Sequence, residues 1–121
     1  MAALTGVATD TGYYYETTQD LSAAALDADI TISQEWRIGH IMLVADQAIT
    51  ETVSVKLFAR AVTANVVTLD STALAAATSY VYEPSGPSGF NDGDQLTVAC
   101  TDGNSVGTVY LRVNIITAPG S

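Results

Sequence analysis

The chain has 121 residues, enough for one domain around one hydrophobic core and too few for two. Hydrophobic residues make up 48% and charged residues only 14%, which excludes intrinsic disorder. Thirteen acidic residues against four Lys and Arg give a formal charge of −9 and a pI of about 4.1; such a surface repels phosphate backbones and anionic bilayers, so no nucleic-acid or membrane partner is expected.

Residues 1–12 are small, uncharged up to Asp10 and without periodicity, the pattern of an N-terminal arm preceding a single domain over 13–121. Tyr13, Tyr14 and Tyr15 with Thr17 and Thr18 favour extended backbone and open a first strand. Leu21 to Leu26 has the propensity for a helical turn, ended by Asp27-Ala28-Asp29, after which Ile30, Ile32 and Gln34 alternate with Thr31, Ser33 and Glu35. In the continuation, strict alternation places Trp36, Ile38, His40, Met42 and Val44 on one face and Arg37, Gly39, Ile41, Leu43 and Ala45 on the other, both apolar after Gly39. Val53, Val55, Leu57 and Ala59 against Ser54, Lys56, Phe58 and Arg60 give the cleanest half-buried strand.

A short strand is expected within Asn65 to Asp70, and the Ala-rich Ser71 to Thr78 reads as a helical turn or loop. Tyr80 to Tyr82 is a strand stopped by Pro84, followed by a Ser-Gly-Pro loop and the turn Asn91-Asp92-Gly93-Asp94. Leu96, Val98 and Cys100 then alternate with Thr97, Ala99 and Thr101. Asp102-Gly103-Asn104 turns the chain, and Val109, Leu111, Val113 and Ile115 against Tyr110, Arg112 and Asn114 complete an expected hairpin. Short alternating segments divided by turns, with no long amphipathic helix, indicate an all-β antiparallel β-sandwich or jelly roll of about seven or eight strands.

Cys100 is the only cysteine and His40 the only histidine, so neither an intramolecular disulfide nor a zinc site of Cys and His is available. The start of the chain lacks the basic residue of a secretory signal, and the longest apolar stretches fall short of the roughly 20 residues of a membrane helix; manufacture in a reducing cytosol is expected. Asp92 with Asp94, or Asp27 with Asp29, offers hard oxygen ligands of the kind calcium takes, yet without EF-hand spacing, and hairpin turns use Asp for its hydrogen bonds alone. No metal or cofactor is expected. His40 lies in the most apolar strand with no Gly-x-Ser-x-Gly elbow, which argues against a serine hydrolase. Cys100 shares a face with Leu96 and Val98 and reads as a core residue, while no carboxylate pair stands out for glycoside hydrolysis. The aromatic residues suit either sugar stacking or packing; Tyr13, Tyr14, Tyr15, Trp36, Tyr82 and Phe90 are the expected partner contacts.

From about residue 30 to 116 the strands and turns follow a recognisable order. Trp36 to Ile38 is a Trp-x-Ile strand, Val53 to Leu57 reads Val-Ser-Val-Lys-Leu, and Tyr80 to Pro84 reads Tyr-Val-Tyr-x-Pro. Phe90 to Val98 reads Phe-x-x-Gly-Asp-x-Leu-x-Val, and Gly107 to Val113 reads Gly-Thr-Val-Tyr-Leu-Arg-Val. This series resembles the small β-sandwich virion proteins of tailed bacteriophages, including capsid decoration (cement) proteins and tail-associated proteins. The resemblance implies a non-enzymatic protein on a virion surface, often a homotrimer, with the major capsid protein as partner and an arm that reaches over neighbouring subunits. Independently, the apolar residues on both faces of Gly39 to Ala45 and of Val109 to Ile116 exceed what one small core covers, which points to a homo-oligomer. A tail- or fibre-associated protein and a carbohydrate-binding β-sandwich module are the alternatives.

Overall fold

The computed structural model describes residues 2–3, 6–8, 12–31, 36–49, 51–61, 64, 66–74, 76–83, 89–90, 93–100 and 107–117. Among these described residues are eleven strands: β1 (Ala2–Ala3), β2 (Val7–Ala8), β3 (Gly12–Asp20), β4 (Leu26–Thr31), β5 (Trp36–Ile49), β6 (Thr52–Phe58), β7 (Val66–Ala73), β8 (Ala77–Tyr82), β9 (Gly89–Phe90), β10 (Gln95–Cys100) and β11 (Thr108–Thr117). The first sheet runs β1-β4-β10-β6-β7 and the second β2-β3-β11-β5-β8, with β9 also on β5. All pairings are antiparallel except that of β1 with β4. Eight strands are six residues or longer; numbered among themselves in chain order, they form sheets 1-8-3-6 and 2-7-4-5. That is the double Greek-key order of a jelly roll.

The core lies between the sheets and is made by alternation. Leu26, Ala28 and Ile30 of β4, Val53, Val55 and Leu57 of β6, and Leu96, Val98 and Cys100 of β10 point inward from the first sheet. They meet Val109, Leu111, Val113 and Ile115 of β11 and Ile38, Ile41 and Leu43 of β5. Each Val, Leu or Ile among them contributes about 1.5–3 kcal/mol through its removal from water.

Four expectations change in the folded chain. Asp27-Ala28-Asp29 does not end a helix; it lies inside β4, and the turn before it is confined to Leu21–Ala23, where the Asp20 carbonyl accepts from Ala23 N at 3.0 Å. Ser71 to Thr78 is mostly extended, because β7 continues to Ala73 and β8 begins at Ala77. β10 and β11 are not a hairpin, since they belong to opposite sheets and the chain crosses the sandwich between them. Finally, β5 does not alternate strictly. Asn114 pairs with His40 and Ile115 with Ile38, so Gly39 is an extra residue, a β-bulge that resets the period-two pattern by one. Trp36 and Ile38 point inward before the bulge, and Ile41, Leu43 and Ala45 point inward after it.

The arm is paired within its own chain. β1 adds to β4 and β2 to β3, the outermost long strands of their sheets on one side of the sandwich. Between them Gly6 passes over Tyr15 so closely that a Cβ would sit 2.7 Å from the ring. On the opposite side the Tyr80 hydroxyl of β8 donates to Asp70 of β7, tying sheet to sheet, and burial with that bond holds the Tyr80 pKa far above its usual value. Among the described residues no helix is long and apolar enough to cross a membrane.

Candidate binding face

The two outer faces differ in chemistry. On the first sheet, Thr97 donates to a buried Asp29 carboxylate at 2.8 Å, Gln95 donates to Thr97 at 3.3 Å, and Thr31 donates to Gln95 at 3.5 Å. Short polar side chains therefore satisfy one another across β4 and β10.

The second sheet carries larger and more varied groups. Its register sets Tyr14, Asn114 and His40 in one row and Glu16, Arg112, Met42 and Val81 in the next. Thr18, Tyr110, Val44 and Ser79 make a third row. Val81 is 55% and Val44 40% exposed, with the half-buried Met42 beside them, so this face has an apolar end toward β8. Toward β3 it is polar. The Arg112 guanidinium lies 4.3 Å over the Tyr14 ring, and its Nε donates to Asn114 Oδ1 at a long 3.4 Å. Asn114 Nδ2 in turn lies 3.0 Å from His40 Nε2, and the Tyr110 hydroxyl donates to Glu16 Oε2 at 2.5 Å. That Glu16 bond raises the Tyr110 pKa.

The bulge makes a notch of about 420 Å³ in this face, lined by Tyr13, Gly39, His40, Arg112, Asn114 and Ile116. Gly39 is its floor. A Cβ there would stand 3.1 Å from the Asn114 carbonyl oxygen and 3.5 Å from Ile116 Cδ1, so the bulge leaves little room for a side chain at this position. The volume falls within the range of small-molecule sites, about 300–1,000 Å³.

The aromatic residues expected to meet a partner divide four ways. Tyr14 lies on the outer face and Tyr13 at the notch, the latter stacked on Tyr15 with centroids 6.5 Å apart. Tyr15 and Trp36 are buried core residues, Trp36 only 2% exposed, because both fall on the inward side of their strands. Their rings serve packing rather than an outside partner. Tyr82 is half-buried against the core from β8. Phe90 pairs through its backbone with Trp36, and its side chain lies outside the described residues. Arg112, Asn114 and Gly39 were not among the expected contacts, although a lone glycine inside a strand pattern is itself a bulge signal.

The other candidate chemical groups are engaged in the fold. Cys100 is buried, and burial together with the nearby Glu51 carboxylate pushes its thiol up to about 11, well away from a reactive thiolate. Asp94 is buried and accepts from the backbone N–H of Arg60 at 2.8 Å, fixing a turn in which Arg60 has φ 54°. Asp92 lies outside the described residues, and among those described no group of three or more metal-capable side chains comes together.

No protein-family model matches the chain, and no curated protein does. Among solved structures, the chain is similar to PirA at 13% identity, with 88% of this chain and 97% of that one covered and a TM-score of 0.54. The core of Drosophila NLP, in a structure described as giving insight into pentamer formation and histone binding, matches at 13% identity, 86% and 98% coverage and TM-score 0.45. A carbohydrate-binding module specific for non-crystalline cellulose, CBM28, matches at 12% identity, 97% and 83% coverage and TM-score 0.44. At these identities the likeness to PirA is one of fold.

Proposed function

We propose that this chain is a non-enzymatic structural subunit of a virus particle, a capsid decoration protein made in the host cytoplasm and seated as a homotrimer on the major capsid protein of a phage head. The observation that carries the reading is the jelly-roll strand order, an architecture recurrent in viral capsid domains, in a chain whose motif order from Trp36 to Val113 resembles small phage virion proteins. The bridge from fold to function is an analogy, and the surface chemistry adds to it. With a charge of −9 the chain gains little from long-range attraction to an acidic partner, so seating relies on apolar burial, and the Met42, Val44 and Val81 end of the second sheet supplies outward apolar area. Quantitative mass spectrometry of particles purified from cells that produce this protein tests the reading. High copy number in intact particles is expected; absence from particles while the protein is abundant in the lysate would overturn it.

A second reading, a glycan-binding module, is favoured by the notch, where Arg112, Asn114 and His40 place hydrogen-bonding groups beside two tyrosines. Retention on a glycan array, lost on substitution of Arg112, would support it, and the two readings are compatible on one particle surface.

A further inference from the structure

We infer that the notch at Gly39 is a binding site for an acidic saccharide, with Arg112 taking the carboxylate of a uronic acid residue and Asn114 and His40 taking its hydroxyls. The inference rests on the glycan reading above and names the class of sugar.

The argument begins with the charge on Arg112. Only four basic side chains exist in the chain, and this one stands at a concave site on the outer face. Its partners among the described residues are the Tyr14 ring, Asn114 and the Tyr110 hydroxyl, none of them a carboxylate. Glu16, the acid opposite it in register, is bonded by the same Tyr110 hydroxyl, so among the described contacts it reaches Arg112 only through that group. A guanidinium stacked on a ring keeps its edge N–H groups for hydrogen bonds; Asn114 and Tyr110 use part of that edge, the remaining N–H groups are left for a carboxylate, and a charge-assisted pair of this kind is stronger than a neutral hydrogen bond.

The neighbouring groups suit hydroxyls. Asn114 is oriented from both ends, its Oδ1 by Arg112 Nε and its Nδ2 by the His40 ring, so the three side chains form one fixed array along the notch. Amide and imidazole each offer donor and acceptor capacity, which a sugar hydroxyl matches in either sense. Gly39, Ile115 and Ile116 give the notch an apolar part of its lining, against which the carbon face of a sugar ring can pack. A bare carboxylate uses Arg112 alone and leaves most of the roughly 420 Å³ unfilled.

Titration of the ¹⁵N-labelled protein with glucuronate and, separately, glucose tests the inference. Glucuronate is expected to shift the Asn114 side-chain amide and Arg112 Nε resonances saturably, with glucose at least tenfold weaker. Arg112→Gln should bring glucuronate down to the level of glucose, Arg112→Lys should restore part of the difference, and Gly39→Ala should weaken both sugars, each with the remaining amide spectrum unchanged. Equal affinity for the two sugars would overturn the acidic preference while leaving the glycan reading in place. Acetate binding as tightly as glucuronate would overturn the saccharide, and the absence of any saturable shift at the notch would overturn both.

Discussion

On the first sheet, Asp29, Thr97, Gln95 and Thr31 bond to one another across β4 and β10, whereas on the second sheet Tyr13, Arg112, Asn114 and His40 line a notch and Val44 and Val81 face outward. Both faces come from the same period-two alternation over the same core. The difference lies in where the irregularities fall, between the central strands β5 and β11 in the second sheet and at the edge strand β7 in the first, and in side-chain size. Gly39 opens the second face by displacing its register, and no comparable glycine interrupts β4, β6 or β10. A saturated face contributes stability, and an open one is available to a partner.

The largest effect expected from probing this difference is on the side of the sheet that both faces share. Leu111 and Arg112 are neighbours on β11, one pointing into the core and one outward. Leu111→Ala should cost about 2–5 kcal/mol in urea denaturation, and Arg112→Ala, which loses the Tyr14 contact, about 1 kcal/mol. Similar costs for the two would show that the outer face is structural after all.

Alkaline titration separates the interior of the first sheet from its surface. Cys100 is neutral when folded, with a thiol raised from 9.0 to about 11, so its contribution is complete below pH 9 and is lost as pH rises through 11. Stability should therefore fall by roughly 2–3 kcal/mol over that window, and Cys100→Ala should flatten the fall. Tyr80, also raised by burial and by Asp70, acts in the same direction at higher pH.

Much of this was legible in the residues themselves. The inward rows of β6, β10 and β11 follow from alternation alone, and so does the placement of Cys100 in the core. What alternation does not encode is which sheet a strand joins. The β10–β11 connection looks like a hairpin because turn residues separate two alternating segments, but a jelly roll spends such connections on crossing between sheets. The notch was hidden for a different reason: once Gly39 is read as an ordinary strand residue, His40 shares a face with Trp36 and Ile38 instead of with Arg37. The arm has no periodicity to show where it pairs, yet β1 and β2 pair within the chain, so deleting residues 1–8 should expose the Tyr15 ring and lower stability as well as altering any docking.

Smaller effects sharpen the contrast further. Thr97→Val keeps the shape of the first face but removes a donor to the buried Asp29 carboxylate, and should cost about 1–3 kcal/mol with no change in sugar titration. Gly39→Ala on the second face should cost about 1 kcal/mol or less, because the new methyl presses on a neighbour at 3.1 Å while stiffening the unfolded chain. Its measurable consequence should be in ligand binding, read by the same titration.

The most direct test of a particle subunit that seats through its second sheet compares two charge insertions of equal size. Val81→Glu places a carboxylate on the exposed apolar end of that face, and Ser54→Glu places one on the outer face of the first sheet. Copies per particle, counted by quantitative mass spectrometry after each variant is produced in place of the natural chain, should fall at least tenfold for Val81→Glu and stay unchanged for Ser54→Glu. Equal occupancy of the two variants, or loss confined to Ser54→Glu, would contradict the account.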